Sequence, residues 1–206
     1  MKVISLLGLP GSGKSFYGKK LARKLKLRFL TEIATQLIYQ KGFKPGIASS
    51  SHFDQEILET NIRTAKAVLQ GSTLTIWEGA PVQDRIFLEG RMRFAGEKDK
   101  RRELLSSYNN EVFEELKDNT LFLLFDVSPQ LSLQRQKGRM KSELLTSNLK
   151  LLKFVHDNLM RFCKDNRERV VIIDVDKPRE TVLDVLDKVS EEIMTRPNPE
   201  GKQHKS

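Results

Sequence analysis

The sequence predicts an α/β fold in which about five parallel strands form one sheet with helices on both faces. Three observations predict it. Short apolar runs alternate with segments of helical spacing along the whole chain. Those runs are near-continuous in Val, Ile, Leu and Phe, as strands buried on both faces require. The first run also leads through a glycine-rich turn straight into a helix.

The elements follow in order. Val3–Leu7 reads as a buried strand, and the segment from Ser15 to Lys26 as a helix through Leu21, Ala22 and Leu25. Arg28 to Thr31 is a second strand, and Glu32 to Lys41 a second helix. Gly42 and Pro45-Gly46 break the chain. Ser51 with Asp54 has the form of a capping box for a helix carrying Phe53, Ile57, Leu58, Ile62, Ala65 and Leu69, closed by Gly71. Thr73 to Trp77 is a strand ending at Glu78. Pro81 to Phe94 and Asp99 to Leu116 read as one helix each. Leu121 to Val127 is the strongest strand, followed by a short helix from Pro129 to Gln136 and a basic turn, KGRMK. Glu143 to Lys164 is a long helix, Val170 to Val175 the last strand, and Arg179 to Met194 the last helix. A single domain is expected over 1–194, with a lid at about 136–142. The polar segment 195–206 is expected to be a disordered basic tail.

The 206 residues are 38% hydrophobic and 31% charged, enough for one sizeable core. No apolar run approaches the roughly 20 residues that span a bilayer, so no membrane association is expected. No signal peptide is read at the N-terminus. Cys163 is the lone cysteine, which excludes an internal disulfide and points to the cytoplasm. The net charge of +9 suits anionic partners. Nucleic acid is not expected among them, because no aromatic–basic repeat or zinc pattern accompanies the charge.

Gly8-Leu9-Pro10-Gly11-Ser12-Gly13-Lys14-Ser15 matches G-x-x-x-x-G-K-[ST] at every fixed position. Glycines let backbone amides turn inward around phosphate oxygens. The helix start adds its partial positive charge. Lys14 can reach the β- and γ-phosphates of ATP, and the Ser15 hydroxyl can ligate Mg²⁺.

Ligands of open parallel sheets bind beyond the carboxyl ends of the strands, and three acids stand there. Glu32 is the candidate general base for an acceptor hydroxyl, and Glu78 the candidate Mg²⁺ partner. Asp126 is assigned to holding the loop after its strand. Asp84 could bind a sugar hydroxyl and Arg85 a substrate oxygen or phosphate. Gln55 is a candidate reader of a nucleobase edge. Arg135 and Arg139 flank a basic turn able to close over phosphates and exclude water. Arg91 and Arg93 read as surface residues, Trp77 as core, and His156 as a packing or surface residue.

In combination, these segments resemble the deoxynucleoside kinases, within the nucleoside and nucleotide kinase group of P-loop proteins. The resemblance runs from Met1 to about Met194. It is carried by GLPGSGKS, TEIA, EGAPVQDRIF, FLEGRMRFAGE leading to SSYNNEVFEEL, and FLLFDVSPQLSLQRQKGR. It implies a P-loop NTPase fold, ATP and Mg²⁺, a small nucleoside or nucleotide acceptor, Glu32 as general base, and a homodimer formed through helices. The family's E-R-S followed by D-R is matched at Glu78, Asp84 and Arg85. Gly79 and Ala80 stand where Arg and Ser would be, and the lid is shorter and poorer in arginine. The leading expectation is transfer of the γ-phosphoryl of ATP to a nucleoside or deoxynucleoside hydroxyl. The alternatives are a thymidylate-like monophosphate kinase using Arg85, a kinase for another small riboside, an ATPase switch acting with a protein or nucleic-acid partner, and a nucleotide-binding protein with degraded catalysis.

Overall fold

The computed structural model describes residues 1–137 and 148–195. Its elements are β1 (Val3–Leu7), α1 (Lys14–Leu25), β2 (Arg28–Leu30), α2 (Ile33–Lys41), α3 (Ser51–Gln70), β3 (Thr75–Glu78) and α4 (Ala80–Phe94). They continue with α5 (Lys98–Ser106), α6 (Glu111–Asp118), β4 (Thr120–Asp126), α7 (Pro129–Lys137), α8 (Leu149–Asp165), β5 (Val170–Asp174) and α9 (Arg179–Thr195). The five strands are all parallel, in the order β2-β3-β1-β4-β5. The expected architecture is therefore present.

The order matters for function. β1 lies between β3 and β4, so the chain leaves the centre, builds one side, and returns to build the other. Leu6 sits opposite Glu78 in the β1–β3 register, and Leu30 opposite Trp77 in the β2–β3 register. The ends of β2, β3 and β1 therefore line up, bringing Glu32, Glu78 and the glycine loop side by side.

Apolar side chains form two buried clusters. The larger joins β1 and β4 to one face each of α8 and α9. Leu151, Leu152, Val155, Leu159 and Cys163 of α8 recur at three- and four-residue spacing and are fully buried. Each large apolar side chain so buried contributes about 1.5–3 kcal/mol. The smaller cluster surrounds Trp77, which is core as expected, and draws on α2, α3, α4 and α6. Gly18 lets α1 approach the sheet: a Cβ there would meet Leu6 Cδ1 at 2.2 Å and Phe29 Cε2 at 2.8 Å.

Three expectations are corrected. The single helix from Asp99 to Leu116 is two, α5 and α6. Asn110 starts α6 by accepting a hydrogen bond from the Phe113 N–H at 3.0 Å, and a side chain that caps in this way competes with a continuous helix. The cap of α3 is Ser50, whose hydroxyl accepts from the Phe53 N–H, not Ser51. Asn148 caps α8 through the Leu151 N–H, so that helix starts at Leu149. The expected start at Glu143, most of the lid at 136–142 with Arg139, and all but Thr195 of the 195–206 tail lie outside the described residues.

Candidate active site

The glycine loop fills the turn between β1 and α1. Gly8 has φ +144°, and a Cβ there would lie 2.6 Å from the Phe125 carbonyl oxygen; only glycine lets the loop pass so close to β4. Gly13 caps α1 in the left-handed conformation without a side chain, leaving the first-turn amides to face an anion. The Ser132 hydroxyl donates to the Pro10 carbonyl at 2.6 Å, bracing the loop from α7. Gly11 packs against the same helix. Lys14 is buried, its ammonium 3.5 Å from the Leu9 carbonyl oxygen.

The Ser15 hydroxyl donates to Glu78 Oε1 at 2.5 Å. Glu78 Oε2 and the Ser12 hydroxyl are buried and have no hydrogen-bond partner among the described residues. Burial pushes the Glu78 carboxyl above the usual carboxylate range; the Lys14 ammonium pulls it down and Glu32 pushes it further up. No cluster of three or more His, Cys, Asp or Glu among the described residues could hold a metal ion by itself. Mg²⁺ beside a nucleotide needs only one or two protein oxygens, the rest coming from phosphates and water. Ser15 and the unpartnered oxygen of Glu78 suit that demand.

Glu32 is the residue before α2, but its side chain does not cap that helix. Its two oxygens are held from two sides. Oε2 accepts from the Thr35 hydroxyl at 2.7 Å, and Oε1 accepts from Gln83 Nε2 at 2.8 Å. Asp84 is buried next to Gln83 and accepts from Asn61 Nδ2 at 2.9 Å. Burial pushes its carboxyl up to about 7, opposed by the Asn61 hydrogen bond. Glu32 and Asp84 line a cavity of about 90 Å³ with Phe53, Phe87, Arg91 and Gln136.

Four assignments change. Arg91 is not a surface residue: it is 4% exposed, gives Asp54 hydrogen bonds from Nε (2.7 Å) and Nη2 (2.5 Å), and lies over the rings of Phe53 and Phe87. Asp54 also accepts from Arg101 Nε at 2.8 Å, so it is an ion-pair hub rather than a helix-capping acid. Arg85 points away from the acids: its Nε donates to Glu89 at 3.2 Å, and it lines a separate cavity between α4, α6 and α8. Gln55 is exposed and donates to Glu59, so the base-reading expectation has no geometry behind it.

A second cavity, of about 470 Å³, opens beside the glycine loop. Gly11, Gly13, Tyr17, Arg135, Lys177 and Arg179 line it. Arg135 Nη2 donates to the Val175 carbonyl at 2.9 Å, which fixes its guanidinium beside the loop. Lys177, from the β5–α9 turn, and Arg179, the first residue of α9, escape sequence reasoning because they look like ordinary solvated charges. Asp126, expected to hold the loop after its own strand, instead meets the segment after β5, its carbonyl accepting the Val175 N–H. Its carboxylate pairs with His156 Nε2 at 2.9 Å, and that hydrogen bond raises the imidazole's affinity for a proton. Gln83 is also missed by the sequence, where one helical glutamine carries no signal.

The AAA domain family matches residues 7–153. The chain belongs to that family. No curated protein matches the chain significantly. Solved structures of deoxyadenosine kinase from M. mycoides share the fold of this AAA-domain chain. The form with bound dATP superposes with a TM-score of 0.70 at 19% identity, covering 91% of this chain and 98% of that one. The form with the products dCMP and a flexible dCDP gives 0.68 at 17%, covering 92% and 99%. The form with bound dCTP gives 0.64 at 19%, covering 92% and 99%. No described helix is long and apolar enough to cross a membrane.

Proposed function

We propose that the chain transfers the γ-phosphoryl of ATP to a hydroxyl of a nucleoside or deoxynucleoside. The carrying observation is a carboxylate lining a small pocket and bridged by one amide to the phosphate loop: Glu32 to Gln83 to the Gly8 N–H. A hydrolase needs no walled acceptor pocket. The likeness to deoxyadenosine kinase structures holding dATP and dCTP supports a deoxynucleoside acceptor.

The roles follow from chemistry. The loop amides and Lys14 bind the donor's phosphates, and Arg135, with Lys177 and Arg179, neutralises charge on the open side. Mg²⁺, held by Ser15 and Glu78 with the phosphates, would offset charge developing on the leaving oxygens. Glu32 orients the acceptor O–H and takes its proton as the oxygen bonds to phosphorus and the bond to the β-phosphate oxygen breaks. Phe53 and Phe87 give the acceptor apolar walls, and Asp84, held from behind by Asn61, gives it a polar edge. Arg85 is committed to Glu89, which removes the support for clamping an acceptor phosphate. Arg139 keeps its proposed part in lid closure. The lone Cys163 is buried and pushed up to about 12 by burial; an inert thiol of this kind suits the cytoplasm.

The test is ADP release from Mg·ATP across nucleosides, deoxynucleosides and their monophosphates, beside a control lacking any acceptor. Stimulation by a nucleoside, lost in Glu32→Gln while ATP still binds, is the expected result. Full turnover in Glu32→Gln, or equal release in every well, would overturn the proposal.

A further inference from the structure

Gln83 has no exposed surface, and both ends of its amide are used. Its Oε1 accepts the Gly8 N–H at 2.8 Å, and its Nε2 donates to Glu32 Oε1 at 2.8 Å. The orientation is fixed by chemistry: a backbone N–H can only donate, so the amide oxygen must face Gly8, and the NH₂ is left to face a carboxylate, which accepts. The link joins the first residue of the phosphate loop to the acid that follows β2.

The backbone makes room for this link. Gly79 has φ +87°, and a Cβ there would lie 3.3 Å from Glu32 Cγ and 3.5 Å from Gln83 Nε2. Ala80 follows with φ +47°, an uncommon conformation for a residue with a Cβ. These two strained residues turn the chain from β3 into α4 and aim Gln83 back at the sheet end.

We propose that Gln83 is a positioning residue that fixes Glu32 relative to the phosphate loop, so that the distance between base and transferred phosphoryl group is set by one neutral amide. This rests on the reading of Glu32 as the proton acceptor. Among the described residues, the other side chain holding the Glu32 carboxylate is Thr35, on α2, which ties it to that helix and not to the donor. Gln83 supplies the missing reference to the donor. It also does so without a charge, leaving the carboxylate free of a permanent ion pair.

The experiment compares Gln83→Leu and Gln83→Glu in the wild-type and Glu32→Gln backgrounds. It uses Mg·ATP and the nucleoside giving the fastest ADP release. Gln83→Leu removes both bonds at similar volume. Gln83→Glu keeps an acceptor for Gly8 but replaces the neutral amide donor by a carboxyl that must share a proton with Glu32 or repel it, so Glu32 is no longer held as a free base. Both should lower kcat about 10- to 100-fold, as loss of a group that orients a reacting residue does. KM for ATP should stay close to wild type in both; the thermal midpoint should fall by several degrees in Gln83→Leu, which strands the buried Gly8 N–H, and less in Gln83→Glu, which keeps that bond. Neither should lower kcat further once Glu32 is Gln, because the two then act as one unit. A Gln83→Glu enzyme with wild-type kcat would overturn the proposal, as would an undiminished loss in the Glu32→Gln background or a change confined to KM for ATP. Full activity of Glu32→Gln itself would instead sink the underlying reading, and this inference with it.

Discussion

Replacing Asp54 by Ala tests the buried charge cluster behind the pocket lined by Glu32 and Asp84. The Asp54 side chain has no exposed surface; those of Arg91 and Arg101 are 5% and 1% exposed. Arg101 also donates to the Ser49 and Gly96 carbonyls, so the cluster ties together the starts of α3 and α5 and the end of α4. Breaking a buried ion pair by removing one partner costs about 3–5 kcal/mol, because the other charge is left uncompensated. One carboxylate here serves two guanidinium groups, so the loss should reach about 5 kcal/mol. For a chain of this size each kcal/mol shifts the thermal midpoint by about 2–4 °C, giving a fall of about 10–20 °C. Thermal unfolding followed by far-UV circular dichroism measures it. The triple change Asp54→Ala, Arg91→Met, Arg101→Met removes every charge and should recover most of the loss. A single Asp54→Ala variant within about 2 °C of wild type would refute the reasoning, since such a small effect belongs to solvated pairs.

Other outcomes follow from the same geometry. Asp84 has its folded pKa raised, to about 7, so between about pH 4 and 7 the folded chain binds more protons than the unfolded one. Stability should therefore fall as pH rises through that window, and Asp84→Asn should flatten the slope in urea midpoints measured against pH. Gly18→Ala drives a methyl group into Leu6 and Phe29 and should cost about 1–3 kcal/mol in urea unfolding. Lys14→Ala removes the buried ammonium from the phosphate loop and should abolish measurable ATP binding by calorimetry without lowering the thermal midpoint.

The sheet and its loop were legible because their signals are local. Buried strands read as apolar runs, and the phosphate loop repeats a fixed pattern of backbone demands. Glu78 was legible for the same reason, since a carboxylate closing an apolar strand is conspicuous. What escaped depends on contacts between distant segments. Asp54 looked like a helix-capping acid until Arg91 and Arg101 folded onto it, and Arg91 looked solvated for want of a visible partner. Gln83 and Gln55 are alike in sequence, each one glutamine on a helix. Only the packing of α4 against the sheet end separates the bridging amide from the solvated one. The break between α5 and α6 had a local signal in the Ser-Ser-Tyr-Asn-Asn run, which the helical spacing on either side outweighed.

The central position of β1 also governs when the phosphate site can exist during synthesis. Val3 pairs with Thr75 on one side and Thr120 on the other, so β1 is made well before either partner, and its second edge stays uncovered until β4 has followed. Gly8 packs on Phe125, and Pro10 is braced by Ser132. The loop is thus made well before the surfaces that shape it. Non-local pairing of this kind slows folding, and a nascent chain ending before β4 would carry the whole glycine motif yet lack the surface that shapes it for a nucleotide.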